Sequence, residues 1–299
     1  MVRSINAFNR GRWSINPINL VIGIIAGIMA FAAVYPFIYV LSMSISDASE
    51  VVALRVRFLP RGFSLESYKA TLKSMDLWIS FYNTLYYTVL GSLLHVAVTL
   101  AGAYALSRKD FPARSAIMAY IAVTMFFSGG IIPSFILINK LNLYNTRWVI
   151  ILLGATSAWN LIISRVYFQT SIPDSLIESA RIDGQSEAGI LARIVIPLSK
   201  PLVAIIFLYA AVNFWNTYFT ALLYLPNSKL QPIQVFLVRM LVYSSNEVIT
   251  DQYSAGDQDK MLVQIKYTVI IVSILPIICL YPFLQKYFVK GVMIGAIKE

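Results

Sequence analysis

The chain is poor in the residues that most catalytic and metal-binding proteins rely on. A single cysteine, Cys279, and a single histidine, His95, are spread over 299 residues. One cysteine excludes an intrachain disulfide, and neither residue has the neighbours of a metal-ligand cluster. Charge is scarce as well: 13% of the residues are Asp, Glu, Lys or Arg, against roughly 25% in soluble domains. No G-x-x-x-x-G-K-[ST] run occurs, so a nucleotide site of that type is absent. Without a carboxylate cluster in the apolar runs, no intramembrane catalytic constellation can be assembled.

Apolar sequence is what the chain has in abundance. It is 58% hydrophobic, with a mean hydropathy of +0.71. A transmembrane helix needs about 20 mostly apolar residues, and six runs qualify: Ile18–Met43, Phe81–Leu106, Ser115–Ile138, Trp148–Phe168, Leu202–Tyr224 and Val263–Phe288. The fold expected is all-α, a polytopic membrane bundle of six transmembrane helices over residues 18–288. Tails 1–17 and 289–299 then lie on one side. The small-residue stretch at Ala30–Ala32 resembles a signal cleavage site, but the apolar run continues to Met43, which favours an uncleaved first helix. The net charge of +10 fits basic loops beside anionic lipid better than a nucleic-acid partner. Arg3, Arg10 and Arg12, then Arg108, Lys109 and Arg114, then the tail lysines place both termini in the cytoplasm.

Between the fourth and fifth runs lies a charged island, residues 171–201. It carries Asp174, Glu178, Arg181, Asp183, Glu187 and Arg193. At roughly 2.5–3.5 kcal/mol per charge at mid-bilayer, burying this set in lipid would cost well over ~10 kcal/mol, so the island lies outside the membrane. Ser171 can cap a first helix with Pro173 and Asp174 in its opening turn, and Gly184 can stop it in a left-handed conformation. Gln185 to Ile196 reads as a second helix ended by Pro197, and Pro201 opens the fifth span. Two readings stand at this point: a surface presented to a soluble partner, or an amphipathic connector lying on the membrane.

Glu178-Ser179-Ala180-x-x-Asp183-Gly184, followed by Ile194-Val195-Ile196-Pro197-Leu198 and Pro201, resembles the EAA loop of ABC-importer permeases. Ser179 stands where that pattern has alanine. Gly129-Gly130-Ile131-Ile132-Pro133, the stretch Leu141–Thr146, Trp215-Asn216 and the tail Lys290–Gly295 are similar to the carbohydrate-uptake (maltose and oligosaccharide) branch. Within it, the chain resembles the six-span permease that pairs with a second, different one. The resemblance implies a cytoplasmic coupling helix docked on a separate ATPase, with Glu178, Ser179, Ala180, Arg181, Asp183 and Gly184 at the contact. It also implies two ATPase subunits that hold the ATP and Mg, with no cofactor on this chain. An extracytoplasmic solute-binding protein would face the loops 44–80 and 225–262, including Asp251, Tyr253, Asp257 and Asp259. A sugar or oligosaccharide would be the substrate.

Polar residues at helical spacing suggest where a sugar could pass. Ser157, Asn160 and Ser164 share one face of the fourth span. Asn213, Asn216, Thr217 and Thr220 do so in the fifth, with Trp215 and Tyr218 nearby, and Asn83, Tyr87 and His95 do so in the second. Amides, hydroxyls and aromatic faces suit sugar hydroxyls and C–H faces, but the same residues also join helices inside bundles. An ion-coupled secondary transporter is the alternative; it needs ionisable groups within the membrane, and here the spans hold little beyond His95 and Arg165.

Overall fold

The computed structural model describes residues 17–242 and 260–279. The terminal arginines and lysines, the acidic loop residues from Asp251 to Asp259 and the 290–295 motif fall outside them. Among the described residues all regular structure is helical. Helix α1 (Pro17–Ser44) is followed by two short helices, α2 (Ala48–Val52) and α3 (Glu66–Lys73), and then by α4 (Met75–Ser107). Helices α5 (Arg114–Val123) and α6 (Ile131–Lys140) come next, then α7 (Arg147–Leu153) and α8 (Ala158–Ser171). The island holds α9 (Asp174–Ile182), α10 (Glu187–Ile190), a π turn over Leu191–Val195 and α11 (Ile196–Leu198). The last elements are α12 (Lys200–Trp215), α13 (Phe219–Tyr224), α14 (Ile233–Val242) and α15 (Lys260–Cys279).

Among the described residues three helices are long and apolar enough to cross a membrane alone: Ile18–Ser44, Met75–Ser107 and Lys260–Cys279. Helix α4 begins six residues before the second apolar run because hydropathy reports depth in lipid rather than helix length. Its 33 residues span about 50 Å at 1.5 Å per residue, more than the roughly 30 Å hydrocarbon layer.

The other expected spans are interrupted. The third divides into α5 and α6, because Gly130 takes φ +83°, open to glycine but strained for other residues. Pro133 falls in the first turn of α6, where no backbone donor is needed, so it opens a helix rather than kinking one. The fourth is α7 and α8, meeting at 46°, with Ser157 capping α8 by accepting from the Asn160 amide at 3.4 Å. The fifth breaks at residues 216–218, between α12 and α13.

Helix α4 is the spine, packed by α7, α8, α12 and α14. A row of residues along it pairs with backbone groups of the connection before α14 and of the α7–α8 break. Asn83 Nδ2 donates to the carbonyls of Lys229 (2.8 Å) and Gln231 (3.2 Å). Thr84 Oγ1 accepts from the Ile233 amide (2.7 Å), and the Tyr87 hydroxyl donates to the Leu230 carbonyl (2.7 Å). His95 Nδ1 lies 2.8 Å from the Gly154 carbonyl. A carbonyl only accepts, so Nδ1 carries the proton and Nε2 accepts from Asn160 Nδ2 at 2.9 Å. Between these contacts the buried Phe214 ring is gripped by two glycines: a Cβ on Gly91 or Gly154 would lie 2.4 Å from its Cζ.

By contrast α1 stands apart, with none of its membrane-length window buried. It meets the rest through its C-terminal half, where Phe31 and Tyr35 pack with Phe58, and Tyr39 and Met43 with Val51, Val56 and Tyr267. Gly91→Ala is therefore expected to destabilise the bundle by about 1–3 kcal/mol through overpacking, read as a lower thermal midpoint of the detergent-solubilised protein. Phe214→Leu in the same chain should recover part of the loss, which a backbone effect of the alanine would not allow.

Candidate functional site

The charged island folds as a helical hairpin. Its first helix starts at Asp174 with Pro173 at the cap position, while Ser171 belongs to the end of α8, so the cap expected of Ser171 is not made. Proline before Asp174 supplies an extended residue at no steric cost, and the carboxylate sits in the first turn beside the positive end of the helix. Gly184 ends the helix with φ +77°. The second helix starts at Ser186, whose Oγ accepts from the Gly189 amide at 3.2 Å. It is not terminated by Pro197. A proline ring clashes with the carbonyl four residues back, and the chain widens into a π turn just before it, continues through α11, and turns by 90° into α12.

One face of the hairpin is locked into the bundle. Ile177, Ala180, Ile190 and Val195 are buried with Leu100, Ala103, Tyr104 and Phe168. Ala180, expected as a partner contact, is thus an inward packing residue with 5% exposure, one turn after the buried Ile177 on the same helix face. Glu178, Ser179, Arg181, Asp183 and Gly184 remain on the surface. Ile182, which the sequence did not single out, is 87% exposed at the tip, an apolar side chain flanked by Arg181 and Asp183.

Ion pairs clamp the hairpin to the short connection after α4. Asp174 pairs with Lys109 (2.8 Å) and Arg108 (3.6 Å). Arg181 bridges Asp110 (2.9 Å) and Glu187 (2.7 Å), and Glu187 accepts from the Tyr104 hydroxyl at 2.6 Å. The Lys109 hydrogen bond holds Asp174 below the ordinary aspartate value, Arg181 does the same for Asp110, and Tyr104 and then Arg181 lower Glu187. The complementary signs of Arg108-Lys109-Asp110 and the island were visible in sequence; their pairing needed the fold.

The residues expected to line a path divide into two sets. Asn213, Asn216, Thr217 and Thr220 come together at the break between α12 and α13, around a cavity of about 300 Å³. Tyr218, Phe219, Phe214, Gly154, Ile150 and Leu153 complete it. A break turns side chains and backbone toward one opening, and the wall is uncharged, polar and aromatic. Asn216 Nδ2 donates to the Val212 carbonyl (2.9 Å) and Thr217 Oγ1 to that of Asn213 (3.1 Å), which engages the Thr217 hydroxyl proton and one of the two Asn216 amide protons. The other set packs inside the bundle. Tyr87, His95 and Asn160 make the contacts described above, Ser164 Oγ donates to the Asn160 carbonyl, and Trp215 Nε1 donates to Ser273 of α15 at 3.2 Å. Ser157 is the α8 cap. Helical spacing could not separate the sets, because both obey it.

Because the three carboxylates titrate lower in the folded chain than when free, the clamp is complete above the ordinary values of 3.8 and 4.5. It is lost as pH falls through the lowered folded values. Amide exchange over residues 174–190, corrected for intrinsic rates, should be flat from pH 7 to about 5 and accelerate below about 4. Arg181→Ala should raise exchange there by roughly twofold to fivefold at pH 7 and flatten the acid response.

With this geometry established, comparisons with known proteins place the chain. Residues 96–294 match the model of a family described as binding-protein-dependent transport system inner membrane component. The chain is 40% identical over 270 residues to the polygalacturonan/rhamnogalacturonan transport system permease protein YtcP of Bacillus subtilis (strain 168), covering 90% of this chain and 94% of that protein. It is 36% identical to protein LplC of the same organism, with 89% of each chain covered. A solved chain from a bacterial ABC transporter involved in the import of the acidic polysaccharide alginate superposes with a TM-score of 0.83 at 34% identity, covering 95% of this chain and all of that one. The chain therefore belongs to the family of binding-protein-dependent transport system inner membrane components, and is a multi-pass membrane permease of an ABC importer.

Proposed function

We propose that this chain is one of two different permease subunits in an importer of acidic oligosaccharides, and that the hairpin is its coupling element. The observation that carries this reading is the two-sidedness of the hairpin: its inner face is fastened to the bundle by apolar packing and ion pairs, while Glu178, Ile182, Asp183 and Gly184 face outward. A separate ATPase receives that outward face in a groove. Ile182 is the apolar anchor, Gly184 allows close backbone approach, and Glu178 and Asp183 supply charge at the rim. ATP and Mg sit on two such ATPase subunits, and closure of the pair drives the hairpin and switches the bundle between inward- and outward-facing states.

In this reading the membrane is crossed six times, with α5–α6, α7–α8 and α12–α13 as interrupted crossings. The hairpin and both termini face the cytoplasm. The segment from Ser44 to α4 and the loop before α14 face a solute-binding protein. Broken helices in a bundle are tolerated where they line a cavity, which supports the opening at residues 213–220 as this chain's share of the path, completed by the second permease. The polygalacturonan and alginate systems named above handle polymers of uronic acids, which supports a uronate-containing oligosaccharide as the substrate here.

Two measurements check this. Glu178→Ala and Gly184→Pro should leave the protein inserted but lower substrate-stimulated ATP hydrolysis and uptake by about tenfold, and Ile182→Asp should weaken ATPase association by about thirtyfold. Normal coupling in all three variants would remove the assignment. In vesicles with the complete transporter, trigalacturonate should be taken up in an ATP-dependent manner with the ion gradients collapsed, and an uncharged trisaccharide should not. Asn213→Ala with Asn216→Ala should raise the KM for uptake by about tenfold without weakening ATPase association.

A further inference from the structure

At the end of the bundle away from the hairpin, within the segment between Ser44 and α4, residues 54–61 form a basic cup to which the reading above gives no ligand. Its volume is about 650 Å³, and its wall is Leu54, Arg55, Arg57, Phe58, Leu59, Pro60 and Arg61. The loop is held in shape by its backbone. The Arg61 carbonyl accepts from the Asp47 amide (2.9 Å), the Arg61 amide donates to Ser46 Oγ (3.1 Å), and Ser42 Oγ donates to the Phe58 carbonyl (2.8 Å). Val56 is buried beside Met43 and Val51. Gly62 closes the loop at φ +60°, where a Cβ would also lie 2.9 Å from Asp47 Cβ. A loop pinned this firmly presents its side chains without an ordering cost on binding.

The charge it presents is largely uncompensated. Arg55 has Glu50 at 3.3 Å. Among the described residues neither Arg57 nor Arg61 has an ion pair or a side-chain hydrogen bond, and both are exposed. Guanidinium groups so placed match an oxyanion with their paired donors.

The position of the cup selects the kind of anion. Phe58 packs against α1, its ring tilted on those of Tyr35 and Phe31 with centroids 5.1 Å and 6.3 Å away. That helix is apolar and turns its membrane-length face outward. Next to Phe58, Leu59 is 77% exposed. Apolar side chains at the acyl boundary with cations just above them are the pattern of a headgroup contact, whereas a soluble sugar gains nothing from an exposed leucine at the rim.

We propose that residues 54–61 bind the headgroup phosphate of an anionic phospholipid, with Arg57 and Arg61 on the phosphate, Arg55 at the edge, and Phe58 and Leu59 against its acyl chains. This also accounts for three arginines gathered on the face opposite the hairpin, where the positive-inside tendency would not put them.

The test uses the purified full-length chain, delipidated in detergent and titrated with phosphatidylglycerol or phosphatidylcholine under native mass spectrometry. Wild type should prefer phosphatidylglycerol, Arg57→Ala with Arg61→Ala should bind it about tenfold more weakly with phosphatidylcholine unchanged, and Arg57→Lys with Arg61→Lys should fall between. Undiminished phosphatidylglycerol binding by the alanine variant overturns the proposal, as does an equal loss for both lipids. A third arm adds trigalacturonate. If it binds at the arginines and displaces phosphatidylglycerol from wild type, the cup is a substrate subsite and the lipid assignment fails.

Discussion

In an apolar bundle every backbone amide and carbonyl released by a broken helix must find a partner within the protein, because lipid offers none. Much of this structure follows from how that demand is met. Three of the apolar runs are interrupted, and α4 supplies partners for the segments beside it: Asn83 and Tyr87 to the carbonyls of residues 229–231, Thr84 to the Ile233 amide, His95 to the Gly154 carbonyl. An unsatisfied group at such a depth costs several kcal/mol, while one interhelical hydrogen bond in a membrane is worth about 0.6 kcal/mol on average. The row on α4 thus matters less for the energy it adds than for the penalty it removes. Beside the cavity this is done by His95, which takes the Gly154 carbonyl at the α7–α8 break that forms part of the wall.

The hairpin solves a different problem. It has to sit firmly on the bundle and still offer a charged surface, so it divides the two tasks between its faces. Ile177, Ala180 and Ile190 supply the apolar attachment, and Arg181, placed between Asp110 and Glu187, ties both arms of the hairpin to the connection after α4. Each exposed ion pair is weak by itself. Joined through Tyr104, Glu187, Arg181 and Asp110, they specify orientation, and the buried side chains supply the strength.

Both features lie on one continuous helix. Tyr104 near the end of α4 holds the hairpin through Glu187, and about two and a half turns earlier His95 holds the break beside the cavity. Phe214, a cavity wall, is wedged between Gly91 of that helix and Gly154. Helix α12 leads from the hairpin to the same cavity and packs along α4, so two adjoining helices connect the surface to the opening.

The sequence by itself determined the class of molecule. Apolar run length and the cost of charge in lipid mark a polytopic membrane protein before any coordinates are considered, because each rests on composition, and the resemblance of the motif around Glu178 and Gly184 to the EAA loop adds the permease family. Gly184 at positive φ was legible too, as short-range geometry. The sequence could not tell a helix from a helix with a gap, since hydropathy averages over residues 124–130 and 216–218 without registering a break. Nor could it sort polar residues at one spacing into those that face an opening, such as Asn213 and Thr220, and those that fasten helices, such as Asn160 and Tyr87. That division depends on which partner lies across the interface, as does the inward turn of Ala180 and the exposure of Ile182. Such contacts join residues far apart in the chain, so only the tertiary structure decided them.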